Sequence, residues 1–162
     1  MQKLIPILNG DLLLSDETVI AHGCNTQGRM GAGIAGQIAT RYPLVLHANQ
    51  RDVKARTFVP GSAQLVIVSP KLAVFNLGTQ DELGPHASLY WVDLAFRNMA
   101  EKCVVNNIHR VGIPQIGCGI GDLVWPDVES TIQTALDLGV RARGYVLEVV
   151  CYIYKFPKMR KS

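Results

Sequence analysis

Residues 22–43 read HGCNTQGRMGAGIAGQIATRYP and contain Gly31-Ala32-Gly33-Ile34-Ala35-Gly36, a literal G-x-G-x-x-G. A dinucleotide-binding turn sets its first glycine at the end of one strand and an acidic residue about 20 positions on, at the end of the next. Here the preceding apolar run stops near Ala21, well short of Gly31, and the downstream position falls in the polar stretch Asn49-Gln50-Arg51-Asp52. The next strand-like run starts only near Leu65. Context therefore argues against a nicotinamide cofactor. The segment reads instead as a loop over 23–30 that enters a helix through small residues. There, backbone N–H groups and the helix N-terminus favour an anionic ligand.

A second stretch, residues 114–125, reads PQIGCGIGDLVW and again stands between a strand-like and a helix-like segment. Gly117, Gly119 and Gly121 alternate, so successive N–H groups can form an anion-binding nest. No lysine follows in the G-x-x-x-x-G-K-[ST] manner, so this is not a P-loop. In open α/β sheets ligands bind where strand C-termini face a crevice, and two such loops point to a phosphate or diphosphate flanked by polar groups.

Strand-like and helix-like stretches take turns along the chain. Residues 3–7, 18–21, 64–68, 72–77, 110–116 and 145–154 read as strands, the third and fourth joined as a hairpin at Ser69-Pro70-Lys71. Residues 33–41 read as a helix ended or kinked by Pro43, and 43–56 as a further helix or loop. Leu89, Val92, Phe96, Met99 and Cys103 make one apolar face of a helix over 88–103, and 126–138 reads as a helix ending at Gly139. The final strand, YVLEVVCYIY, has so little polar interruption that burial on both faces is expected. The sum is an α/β class chain, a three-layer α/β/α sandwich on a mixed central sheet.

A length of 162 residues suits one domain, expected over 1–155, with a basic C-terminal tail at 156–162. With 48% hydrophobic and 18% charged residues, the composition is that of a globular protein rather than a disordered one. No apolar run approaches the roughly 20 residues that span a bilayer, and the first residues lack a signal-peptide pattern. No membrane partner and a cytoplasmic location are the expectations. Cys24, Cys103, Cys118 and Cys151 are widely spaced, and His22, His47, His86 and His109 are scattered, so neither disulfides nor a metal site is expected. The net charge of +3 comes without a basic stripe interleaved with aromatics, which leaves nucleic acid a minor prospect.

Asn9-Gly10-Asp11, His22-Gly23-Cys24-Asn25, Gly31 to Ala35, and Pro114 to Trp125 together resemble a macrodomain, the ADP-ribose-binding fold, over nearly the whole chain. The branch it looks most similar to holds the ADP-ribose 1″-phosphate phosphatases and the terminal ADP-ribose protein glycohydrolases. The resemblance implies that Asp11 accepts the adenine amino group with the Leu12 backbone nearby, and that Asn25 bonds the distal ribose. It implies that Gly31, Ala32, Gly33 and Ile34 line that ribose and the second phosphate. Gly117, Cys118, Gly119, Ile120 and Gly121 would wrap the diphosphate, and Tyr152 or Tyr154 would stack near adenine. By itself, Asp11 reads more simply as a turn or helix cap.

The same resemblance bears on chemistry. One branch carries an aspartate where this chain has Ala35, and the glycohydrolase branch uses a lysine near the strand end that here runs into Gly78-Thr79-Gln80-Asp81. A lysyl covalent intermediate is therefore not expected. The phosphatase branch carries a histidine at the position of His22, which would serve as general acid or base, with Asp122 orienting water or tuning the ring. The leading expectation is a hydrolase releasing phosphate from ADP-ribose 1″-phosphate without metal or cofactor. The alternatives are a non-catalytic reader of ADP-ribose and a hydrolase that removes ADP-ribose from protein or nucleic acid.

Overall fold

The computed structural model describes residues 5–154; the expected tail at 156–162 lies outside them. A six-stranded sheet runs in the order β1-β6-β5-β2-β4-β3. The strands are β1 Ile7–Asn9, β2 Val19–Asn25, β3 Ala63–Ser69, β4 Leu72–Gln80, β5 Arg110–Ile113 and β6 Glu148–Ile153. Every pairing is parallel except β3 with β4, the antiparallel hairpin. The helices are α1 Gly33–Arg41, α2 Pro43–Lys54, α3 Leu89–Val105 and α4 Trp125–Leu138.

Period-2 alternation sorts the strand side chains between two cores. Ala21, Phe75 and Leu77 face α3 and α4, where Val92, Phe96, Met99, Ile132 and Leu136 close the larger core. Ile20 and Val74 face the other way, against Ile38 of α1 and Val45 of α2. Helices therefore cover both sides of a mixed sheet, which is the three-layer α/β/α sandwich. Pro43 stands at the start of α2, and Tyr42 caps the end of α1 and the beginning of α2 alike. The stretch left open between helix and loop is thus helical through Lys54.

Several strand boundaries differ from the sequence reading: β1 takes in Leu8 and Asn9 beyond the expected end at Ile7, and β4 runs on to Gln80 rather than ending at 77. β2 continues four residues past Ala21 because His22, Gly23 and Cys24 pair with Asn76, Leu77 and Gly78 of β4. β5 stops at Ile113, where Pro114 offers no N–H and its carbonyl takes the Ile116 N–H in a tight turn. β6 begins at Glu148 rather than 145, since Tyr145 turns its hydroxyl to the carbonyls of Cys103 and Ile108. No helix among the described residues is long and apolar enough to cross a membrane.

Candidate functional site

Because β2, β4 and β5 are parallel, their C-terminal ends lie on one edge of the sheet. A cleft of about 270 Å³ opens there. Cys24 and Asn25 from the end of β2 and Thr79 and Gln80 from the end of β4 form part of its lining. The start of α1 at Ala32–Ala35 and the loop residues Gly117, Gly119, Ile120 and Gly121 form further parts of the walls. The two glycine-rich loops, more than 80 positions apart in the chain, thus face one space.

Each loop presents backbone donors. Ala32 caps α1 without any side-chain hydrogen bond, so the first-turn N–H groups of Gly33, Ile34 and Ala35 remain available to a ligand. Gly33 has φ +58°, a left-handed conformation in which a side chain is strained. A Cβ on Gly36 would lie 3.1 Å from the Gly31 carbonyl carbon. The G-x-G-x-x-G thus folds the loop closely onto the start of the helix.

The second loop closes on itself through Leu123 N–H to Gly117 C=O at 2.8 Å and Asp122 N–H to Gly119 C=O at 3.2 Å. Among the described residues no acceptor within the chain takes the N–H of Gly119, Ile120 or Gly121. Gly121 is tightly enclosed, for a Cβ there would meet the Ala87 methyl at 2.6 Å.

Asn25 lines the cleft but also organises the turn beyond it. Its Oδ1 accepts from Gln27 N–H and Arg29 N–H, while its Nδ2 donates to Arg29 C=O at 2.8 Å. One Nδ2 hydrogen is left for a ligand. Asp11 is the cap of a 3₁₀ turn, accepting Leu13 N–H at 2.9 Å. It lines a second cleft, of about 840 Å³, together with Met30, Gly31 and Gln37. Gly33 borders both clefts, so they are neighbours. Leu12 is buried in the smaller core.

Several expected site residues lie elsewhere. His22 is wholly enclosed, with Nε2 2.6 Å from Asn76 Oδ1, and is absent from the cleft wall. Burial outweighs that hydrogen bond and pushes its pKa down to about 4, so the ring is neutral near pH 7. The structure thus places the ring in the interior, 3.5 Å from the Sγ of Cys24 in the cleft wall, rather than in the wall itself. Asp122 is exposed and stands just outside the cleft lining, next to Gly121. Cys118 turns its thiol to Ile116 C=O and is likewise outside the wall. Tyr152 donates its hydroxyl to Glu17 and lies in the lining of neither cleft, and Tyr154 is also outside both.

Sequence reasoning missed Arg29, Thr79, Gln80, Leu83 and Gln115, all of which line the first cleft. The parallel docking of β4 beside β2 brings Thr79 and Gln80 in, a long-range pairing with no local signal. Cys24 also lines the cleft, but burial raises its thiol far above the usual range, so it offers no thiolate.

Comparisons with known proteins identify the family. A DNA ADP-ribosyl glycohydrolase of Mycobacterium tuberculosis is 31% identical over 133 residues, 78% of this chain and 37% of that protein. The chain therefore spans well under half the length of that relative. An ADP-ribose 1″-phosphate phosphatase of Candida albicans is 23% identical over 146 residues, 80% of this chain and 92% of that protein. The solved macrodomain of Mycobacterium tuberculosis DarG superposes with a TM-score of 0.81 at 26% identity, covering 93% of this chain and 98% of that one. With the Macro domain family model matching residues 21–132, the chain belongs to the macrodomain family.

Proposed function

We propose that this chain binds the terminal ADP-ribosyl group, with the diphosphate between the start of α1 and the 117–121 loop. Adenine would lie toward Asp11 in the second cleft and the distal ribose toward Asn25. The observation that carries this reading is two sets of uncommitted N–H groups facing one cleft with no carboxylate in its lining. Such donors suit a diphosphate, and each charge-assisted bond contributes about 1.5–3 kcal/mol. A thermal-shift comparison of ADP-ribose, NAD and AMP tests it. At 100 times its dissociation constant a ligand stabilises by about 2.7 kcal/mol, and ADP-ribose is expected to give the largest shift. Equal shifts from all three, or none, would discard the reading.

A second reading is favoured by the relatives, which are named as hydrolases of ADP-ribose derivatives. Turnover here would depend on a water positioned by neutral groups such as Asn25, Thr79 and Gln80. Incubation with ADP-ribose 1″-phosphate, ADP-ribosylated protein and ADP-ribosylated DNA separates a hydrolase from a reader. Release of phosphate or ADP-ribose from any of them supports hydrolysis.

A further inference from the structure

Asp11, in the lining of the second cleft, belongs to a segment over residues 10–17 that is pinned to the sheet at both ends. At the near end Gly10 N–H donates to Ile153 C=O at 3.0 Å, and a Cβ on Gly10 would stand 4.0 Å from Tyr152 Cδ1. At the far end stands Glu17, whose side chain is only 6% exposed. Its carboxylate accepts Tyr152 O–H at 2.5 Å and a forked pair from Arg110, Nε to Oε1 at 2.8 Å and Nη2 to Oε2 at 2.9 Å. Tyr152 therefore touches both pins, with its ring at Gly10 and its hydroxyl on Glu17. Between the pins the segment presses on β5, where a Cβ on Gly112 would meet Glu17 Cγ at 2.8 Å and Leu12 Cδ1 at 3.0 Å. Glu17, Arg110 and Tyr152 lie in the lining of neither cleft, so no ligand there accounts for them. An enclosed ion pair is a costly way to hold a segment that apolar packing would also hold. What the planar fork adds is a fixed geometry, since it accepts the carboxylate in one arrangement only.

We propose that Glu17, clasped by Arg110 and Tyr152, is a positioning residue that holds Asp11 in register with the base and so sets the base selectivity of the second cleft. This rests on the placement of adenine at Asp11 given above. One Asp11 oxygen is committed to Leu13 N–H, which leaves the other to accept from an exocyclic amino group. A displacement of about 1 Å takes such a bond out of range. A base with a carbonyl in place of the amino group offers that oxygen no hydrogen and opposes its charge.

The test is calorimetric titration with ADP-ribose and with its hypoxanthine analogue, in which a carbonyl replaces the adenine amino group. The readout is the ratio of the two affinities, measured below the unfolding temperature of each variant. The wild type should prefer ADP-ribose by about tenfold or more, the scale of one hydrogen bond to a charged acceptor. Glu17→Ala should bring the ratio close to one, while Glu17→Gln, which keeps the shape and one acceptor oxygen, should retain part of it. Tyr152→Phe removes a single hydroxyl, leaves the ring at Gly10, and should lower the ratio about threefold; it serves if Glu17→Ala does not fold. Asp11→Ala should abolish the preference, and in that background Glu17→Gln should change the ratio no further, because its effect passes through Asp11. A wild-type ratio kept in Glu17→Ala or, should that variant not fold, in both Glu17→Gln and Tyr152→Phe, overturns the positioning role while the site reading stands. A further change in the Asp11→Ala background does the same. A wild type that binds both ligands equally removes adenine from Asp11, and this assignment falls with that reading.

Discussion

His22 Nε2 lies 2.6 Å from Asn76 Oδ1, and both side chains are fully enclosed beneath α2. Asn76 Nδ2 in turn donates to Gln64 Oε1 at 2.9 Å, and Gln64 Nε2 donates to Asp52 Oδ2 at 2.7 Å. The directions are consistent only if His22 carries its proton on Nε2, so the ring is a neutral donor within a buried polar chain. Protonating Nδ1 adds a charge that nothing nearby compensates.

The first prediction concerns acid. A histidine at about 4 when folded and 6.5 when unfolded binds fewer protons in the native state, so stability falls as pH drops below 6.5 and the loss levels off below about 4. At pH 5 the linkage amounts to about 2 kcal/mol. Glu17, held below the usual carboxylate range by Arg110, acts only nearer its unfolded value of 4.5, where stability is likewise lost on acidification. Urea titrations between pH 7 and 5 therefore isolate the histidine. His22→Gln should flatten that interval, and ADP-ribose affinity should stay within about twofold. A general acid–base role would show separately, as a loss of turnover of about 100-fold or more with ADP-ribose binding kept.

Asn76→Ala should be more damaging than its size suggests. It strands the His22 N–H and the Gln64 carbonyl oxygen in a dry interior, each at about 1–3 kcal/mol. The midpoint of chemical denaturation should drop accordingly. A loss under 1 kcal/mol would mean that the chain of bonds is not maintained in solution.

Asp122 has φ +65°, a left-handed conformation that glycine adopts at no steric cost. Asp122→Gly should leave stability unchanged or raise it by up to about 1 kcal/mol. Since Asp122 is outside the cleft lining, calorimetry should find ADP-ribose binding retained. Loss of binding in a folded variant would return this carboxylate to the site.

Much of the fold is legible from local pattern. Helix α1 runs over Gly33–Arg41, the range that helical spacing and Pro43 suggest, and the β3–β4 hairpin follows from its turn. The face of His22 was readable too, since it lies two residues after Ile20 and so shares its side of the sheet. Gly23 concealed this by looking like the start of a loop, when β4 in fact keeps β2 extended through Asn25. What no local pattern carries is the parallel docking of β4 on β2. That pairing encloses His22 against Asn76 and brings Gln80 into the cleft. Chemistry attributed to one residue thus depended on a neighbour 54 positions away.

The last prediction concerns the wall formed by the 117–121 loop. A Cβ at Gly121 would stand 2.6 Å from the Ala87 methyl, 2.8 Å from Gly117 C=O and 3.2 Å from Gln80 Oε1. Two of these neighbours can be altered and the carbonyl cannot, because it belongs to the turn that aims the N–H groups. Gly121→Ala must therefore displace the loop, and ADP-ribose affinity should fall by about tenfold or more, equivalent to about 1.4 kcal/mol. Gly33→Ala is the contrasting case. No atom lies within 4 Å of its added methyl, so the cost is the left-handed backbone alone, about 1 kcal/mol of stability. The double variant Gly121→Ala with Ala87→Gly removes the nearer clash and leaves the carbonyl contact, so affinity should recover only in part. Full recovery would locate the constraint in the Ala87 methyl rather than in the loop's own turn, and no effect of Gly121→Ala would show that the ligand does not depend on this wall.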